Sequence, residues 1–163
     1  MPRVHAALLA CVFLAVTLFV GESLGFSSGS VSLACDSMYP LHLTLGPQRS
    51  RSPFVIHASK EDNNTIRVTL TSEAETFRGF FLQARDKDDQ RVGKFLSVQG
   101  DGQILRCDEE GNSVSHKSPE DKRQVSMTWV PLQHRGAVIF QATVVQRYNT
   151  FWTNIRSRMY NVS

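Results

Sequence analysis

Hydrophobic and polar residues alternate along much of this chain with a period of two. In residues 65–71 the apolar side chains occupy every second position, at Ile66, Val68 and Leu70. Successive side chains of a β-strand point to opposite faces of a sheet, so this alternation predicts a strand with one face in a core. Residues 124–129 repeat the pattern and predict a second strand of the same kind.

Further strands are indicated by short apolar segments that end at turn residues. They cover residues 54–58, 79–85, 93–98, 103–107, 113–116, 137–145 and 148–152. About eight short strands with closely spaced turns predict an all-β fold, an immunoglobulin-like antiparallel β-sandwich, although a closed barrel has a similar signature. The segment 137–145 is long and apolar, which favours a central strand. Residues 26–51 carry no periodic pattern and are expected to be irregular.

The N-terminal region differs in composition from the rest. Residues 6–20 are apolar and uncharged, and small residues follow at Ser23 and Gly25. This run is too short to span a bilayer but has the length of the apolar core of a secretory signal peptide. We expect residues 1–25 to be cleaved, rather than kept as a signal anchor. Residues 26–163 would then form one secreted, extracellular domain with no membrane span.

Two cysteines, Cys35 and Cys107, would remain after cleavage in an oxidising compartment. We expect one disulfide between them rather than two free thiols. Neither cysteine has a partner at zinc-binding spacing, so no metal site is predicted. Sequons begin at Asn63 and Asn161. Asn63 lies in a polar stretch and is the expected glycan acceptor, whereas Asn161 is too near the C-terminus to be a good one.

Several motifs occur in an order that resembles the reeler domain family. They are residues 35–42, 77–85, 92–95, Cys107, residues 115–117, Trp129, residues 142–145 and Trp152. The resemblance implies an immunoglobulin-like β-sandwich with a disulfide between Cys35 and Cys107. In the ferric-chelate reductase members a haem-binding-type domain and a membrane cytochrome follow the reeler domain. Here the chain ends soon after Trp152, so we expect the stand-alone type found in small secreted defence proteins.

Catalytic and metal-binding motifs are missing from the sequence. The histidines beyond residue 25 are scattered and form no metal-binding pair: His42, His57, His116 and His134. Neither the glycine-flanked serine of hydrolases nor a phosphate-binding glycine loop occurs. The large aromatic residues are expected in the core rather than in a ligand site. The expected protein is therefore non-catalytic and needs no cofactor.

Basic residues provide the candidate binding chemistry. The net charge of +3 is too small to indicate nucleic acid as a partner. An anion-binding patch is one interpretation of three small groups of basic residues, if folding brings some of them together: Arg49 and Arg51, Lys122 and Arg123, and Arg147, Arg156 and Arg158. Arginine suits sulfate and phosphate because its guanidinium group can donate two parallel hydrogen bonds. An ordinary solvated surface is the alternative interpretation, because acidic residues are interspersed.

Two functions remain open at this stage. The family resemblance implies an innate-immunity protein that binds microbial surfaces, with antimicrobial action. The alternative is an extracellular-matrix or adhesion module that binds glycosaminoglycans such as heparin. Either protein is expected to be a monomer.

Overall fold

The computed structural model describes residues 28–29, 31–40, 45–61 and 64–162 of the chain. Its strands are β1 (Val55–Lys60), β2 (Ile66–Thr71), β3 (Gly79–Arg85), β4 (Lys94–Gln99), β5 (Gly102–Arg106), β6 (Glu110–His116), β7 (Gln124–Val130), β8 (Gly136–Arg147), β9 (Thr150–Arg156) and β10 (Tyr160–Val162). The predicted signal peptide, residues 1–25, and the sequon at Asn63 lie outside the described residues. Within those residues no helix is long and apolar enough to cross a membrane.

The strands form two antiparallel sheets that enclose one main core. The first sheet has the order β1-β2-β7-β4, and the second has the order β10-β8-β3-β6-β5. Strand β8 is central, as its apolar sequence predicts, because it pairs with β3 along one edge and with β9 and β10 along the other. The predicted antiparallel sandwich is confirmed, and the closed barrel is not observed.

The alternating residues of β2 and β7 face the core, as their pattern predicts. Trp129 of β7 is fully buried. Its indole Nε1 donates a hydrogen bond to the Val92 carbonyl at 3.2 Å, and its ring packs edge-on against Phe140 at 5.3 Å. Gly93 lies directly against this ring and has a positive φ of 68°. A Cβ at this position would lie 2.1 Å from the indole. Only glycine fits that approach, so the β7 tryptophan and the turn before β4 form one packing unit.

Strand number and boundaries differ from the expectation of about eight. Ten strands occur in the part of the chain that the structure describes. Strand β10 is three residues long, too short to show alternation, and depends on its pairing with β8. Tyr148, expected at the start of a strand, lies instead in the turn before β9. The presence of β10 therefore arises from tertiary pairing rather than from local sequence.

The N-terminal segment, residues 31–40, covers the outer face of the second sheet. Val31, Ala34 and Met38 pack against Phe81 of β3 in a small second core. A disulfide joins Cys35 to Cys107, just beyond β5, with the two Cα atoms 5.6 Å apart. This is the pairing that the sequence predicts, and it fastens the segment to the sandwich.

Arg91 supports the same attachment from the side. Its guanidinium donates to the Cys35 carbonyl at 2.9 Å and to both carboxylate oxygens of Asp108 at 2.9 and 3.0 Å. The hydrogen bonds from Arg91 are the main reason that the pKa of Asp108 is lowered to about 2, although partial burial opposes the shift. The bonds connect the chain at Cys35 with the chain that follows Cys107.

This ion pair predicts an acid-dependent loss of stability. The folded pKa of Asp108 is below that of an unfolded aspartate, so its contribution is present above about pH 4 and is lost as the pH falls towards 2. Because its side chain is 57% exposed, we expect about 1 kcal/mol after solvent screening. Urea unfolding of Asp108→Asn should show this deficit at pH 7 and almost none at pH 2. An equal deficit at both pH values would contradict the assignment.

Candidate functional site

The structure removes Lys122 from the predicted anion-binding set. Its ammonium group is buried and donates to the carbonyl oxygens of Arg78, Ser118 and Glu120 at 2.5, 3.1 and 2.6 Å. It also pairs with Asp101 at 3.1 Å. With its donors used internally, Lys122 is a structural cation. The sequence gives no sign of this role, because the acceptors are backbone carbonyls brought in by folding.

Three of the predicted arginines meet in one groove between the edges of the two sheets. The groove has a volume of about 820 Å³ and lies between β1, on one side, and the segment from β9 to β10, on the other. Arg51, Arg156 and Arg158 line it together with His57 of β1. We call this the arginine groove. The apolar residues Ile56 and Ile155 also line it.

The first pair of arginines flanks a serine that is fixed to the sandwich. In the sequence Arg49-Ser50-Arg51, the indole Nε1 of Trp152 donates to the Ser50 carbonyl at 3.2 Å. Trp152 is nearly buried and packs edge-on against Phe54 at 5.5 Å. This contact holds the tripeptide beside β9, with Arg51 in the groove and Arg49 exposed next to it.

The second pair repeats the arrangement in Arg156-Ser157-Arg158. The backbone N–H of Ser157 donates to the Phe140 carbonyl at 2.9 Å, and its Oγ accepts from the Phe140 N–H at 3.0 Å. Arg156 is oriented by its Nε, which donates to Asn154 at 2.7 Å and to Gln141 at 3.1 Å. The terminal nitrogens of Arg156 keep their capacity to donate to a ligand.

The positive charge of the groove is not matched by a carboxylate in the part of the chain that the structure describes. None of the ion pairs among the described residues involves Arg51, Arg156 or Arg158. The sequence explains this, because neither residues 37–60 nor residues 122–163 contain an aspartate or glutamate. A cleft lined by one sign of charge concentrates its field and attracts oppositely charged ligands. The absence of acidic residues from these two stretches is the sequence signal for a positively charged groove. Considering the basic residues one by one does not show it.

The other predicted residues lie elsewhere. Arg123 precedes β7 in the first sheet, and Arg147 ends β8 in the second, so neither lines the groove. Asn161 is exposed in β10. His116, which is not part of that set, is buried and accepts a hydrogen bond from the Phe80 N–H at 3.2 Å. Among the described residues no cluster of histidine, cysteine, aspartate or glutamate is arranged to hold a metal ion.

Comparison with known proteins extends the family resemblance over nearly the whole described chain. Residues 33–163 match the family model of the Reeler domain. A protein of Bombyx mori named "Putative defense protein" is 35% identical over 167 residues, which cover 95% of each chain. Ferric-chelate reductase 1 of Bos taurus is 30% identical over 144 residues, but the match covers only 24% of that protein.

Solved structures support the fold. The human F-spondin reeler domain superposes with a TM-score of 0.59 at 18% identity, covering 79% of this chain and 99% of that one. The Reelin-N domain of F-spondin gives a TM-score of 0.58 at the same identity. At this level of identity the likeness concerns the arrangement of the strands alone.

Proposed function

This chain belongs to the Reeler domain family, and from that premise we propose that it is a secreted, non-catalytic defence protein that binds anionic polymers on microbial surfaces through the arginine groove. The defence role is supported by the name of the Bombyx mori relative, which aligns along almost its full length. Secretion is supported by the expected signal peptide and by a disulfide of the kind that persists in oxidising compartments.

The observation that carries the proposal is the meeting of three arginines that form no ion pair with any carboxylate of the described residues. Arg51, Arg156 and Arg158 come from opposite ends of the domain sequence and line one groove. Guanidinium groups bind phosphate and sulfate through paired, charge-assisted hydrogen bonds. A flexible polymer with repeated anionic groups can occupy several of these donors at once. Such polymers include lipoteichoic acid and the phosphorylated part of lipopolysaccharide.

Glycosaminoglycan binding is the second candidate, and the same groove favours it. Sulfated sugars present anionic oxygens of similar geometry, so the charge of the site does not separate the two ligand classes. The difference has to come from the spacing of the anionic groups along each polymer. Both candidates predict binding that weakens with salt, because exposed charges are screened within about 8 Å at physiological ionic strength.

A binding panel separates the two candidates. The secreted protein would be titrated with lipoteichoic acid, lipopolysaccharide, peptidoglycan and heparin at low and physiological salt. We expect micromolar binding to lipoteichoic acid or lipopolysaccharide, which is weaker at physiological salt than at low salt but still measurable. Heparin binding alone would favour the matrix function. Binding to none of the four, or binding that does not respond to salt, would contradict the groove as the site.

A further inference from the structure

A second cavity lies on a different face of the molecule, between the N-terminal segment and the outer face of the second sheet. Its volume is about 230 Å³. Val31, Ala34 and Met38 line it from the segment, and Phe81 and Val145 line it from the sheet. We call it the outer-face cavity. It shares none of its lining residues with the arginine groove.

The polar groups on its walls already have partners. The Thr143 hydroxyl donates to the Met38 carbonyl at 2.5 Å, and His116 Nδ1 accepts from the Phe80 N–H at 3.2 Å. A bound water needs two to four polar partners, and apolar cavities that lack them stay dry and bind small hydrocarbons. The walls therefore suit an apolar ligand better than water or a sugar.

The size of the cavity limits what can enter. A cavity of roughly 150 Å³ in another protein admits benzene, so by proportion this one holds about nine carbon atoms. That volume is too small for a typical drug-sized ligand, whose sites begin near about 300 Å³. It matches the end of one acyl chain.

A positively charged residue, Arg147, is a sequence neighbour of residues that line the cavity. Arg147 stands between Val145 and Tyr148, which both line the cavity. It is exposed and takes part in no ion pair among the described residues. Arg78 also lines the cavity, but its charge is matched by Asp121 at 2.8 Å. An anionic group at the head of an acyl chain would be attracted to Arg147.

We propose that the outer-face cavity binds the end of a single acyl chain, about eight to ten carbons long, whose anionic headgroup contacts Arg147. The headgroup can be a carboxylate, as in a free fatty acid, or a phosphate, as in a lipid. This site is independent of the arginine groove, so either one can fail without the other.

The test uses the full secreted protein and three ten-carbon probes below their micelle concentrations. Decanoate, decyl phosphate and decyl maltoside would each be titrated while the backbone amide signals are followed by NMR. We expect saturable shifts at Phe81, Thr143 and Val145 with both anionic probes. Stronger binding of decanoate would indicate a fatty acid, and stronger binding of decyl phosphate a lipid phosphate. Equal binding of the maltoside would overturn the role given to Arg147.

Variants that fill the cavity make the test specific. Ala34→Leu should weaken decanoate binding at least tenfold. Its amide spectrum should still be that of a folded sandwich. Val145→Phe fills the same space from the sheet, and serves if Ala34→Leu does not fold. Ala34 ends a short 3₁₀ helix, Ser32–Ala34, within the N-terminal segment. Leu33→Ala is the matched control, since Leu33 is exposed on this helix and does not line the cavity. Arg147→Gln should weaken only the anionic probes.

Three results would overturn the proposal. The first is the absence of saturable shifts with any probe. The second is binding that Ala34→Leu and Val145→Phe leave unchanged, which would place the probe elsewhere. The third is a shift of the same amides with protein concentration alone, which would assign this face to a second copy of the chain.

Discussion

Replacing both Cys35 and Cys107 with alanine is expected to lower the free energy of unfolding by about 4 kcal/mol. The disulfide joins residues that are 72 positions apart, so it removes much conformational freedom from the unfolded chain. For a domain of this size the loss corresponds to a decrease of about 15 °C in the melting temperature. In the variant, the N-terminal segment should stay packed on the second sheet at low temperature, because Arg91 and Arg85 both donate to the backbone carbonyl of residue 35.

Denaturant unfolding measures this effect directly. The double variant should also show a larger dependence of the unfolding free energy on denaturant, because its unfolded state exposes more surface. Reduction of the wild-type disulfide provides the control, since it should reproduce the behaviour of the variant and leave the variant itself unchanged. A loss below about 1 kcal/mol would mean that the crosslink contributes little beyond the contacts around it.

Lys122→Met is expected to destabilise the protein by about 3 kcal/mol. The substitution keeps an unbranched chain in place but leaves three backbone carbonyls and Asp101 without their ammonium partner. Removing this buried cation is costly because its acceptors lose their hydrogen-bond donor and Asp101, which is only partly exposed, loses its counter-charge. Burial alone raises the pKa of Asp101, but hydrogen bonds from Ser118 and Lys122 outweigh it and hold this pKa below its usual value.

The neighbouring residue provides a matched control for Lys122. Arg123→Met removes the same charge from an exposed side chain and should change the free energy of unfolding by less than about 0.5 kcal/mol. Folded Lys122→Met should bind lipoteichoic acid like the wild type, because Lys122 faces internal acceptors. Equal stability of the two variants would contradict the structural role of Lys122. Weaker binding of lipoteichoic acid by folded Lys122→Met would show that Lys122 contributes to anion binding.

The sandwich itself could be predicted from local sequence because its two central pairing strands show clean alternation. Val68 of β2 and Met127 of β7 are paired in register, and both point into the core as their positions predict. Strand β3 shows the limit of that reasoning. Phe81 lies on its outer face and is buried all the same, because the irregular N-terminal segment covers it. No periodic pattern reports a contact between an irregular segment and a sheet.

The arginine groove could be predicted only in part from the sequence, for a related reason. Arg51 and Arg156 belong to similar tripeptides, yet nothing local shows that the two tripeptides meet. Their meeting depends on Trp152, whose indole holds Ser50 beside β9. Lys122 was indistinguishable from a surface cation because the oxygens around it are mostly carbonyls, which every residue possesses. Charge and spacing identify candidates, and tertiary contacts decide which of them converge.

The central claim is tested most directly by the affinity for deacylated lipoteichoic acid, a probe without the chain that could enter the outer-face cavity. The wild type would be compared with the triple variant Arg51→Gln, Arg156→Gln, Arg158→Gln. A control triple variant loses equal charge outside the groove at Arg106, Lys117 and Arg123, which are all exposed. At about 1 kcal/mol for each cation, the groove variant should bind about 100-fold more weakly with a reduced salt dependence. The control should stay within about threefold of the wild type. Equal losses in the two variants would show that net charge, rather than the arginine groove, accounts for binding.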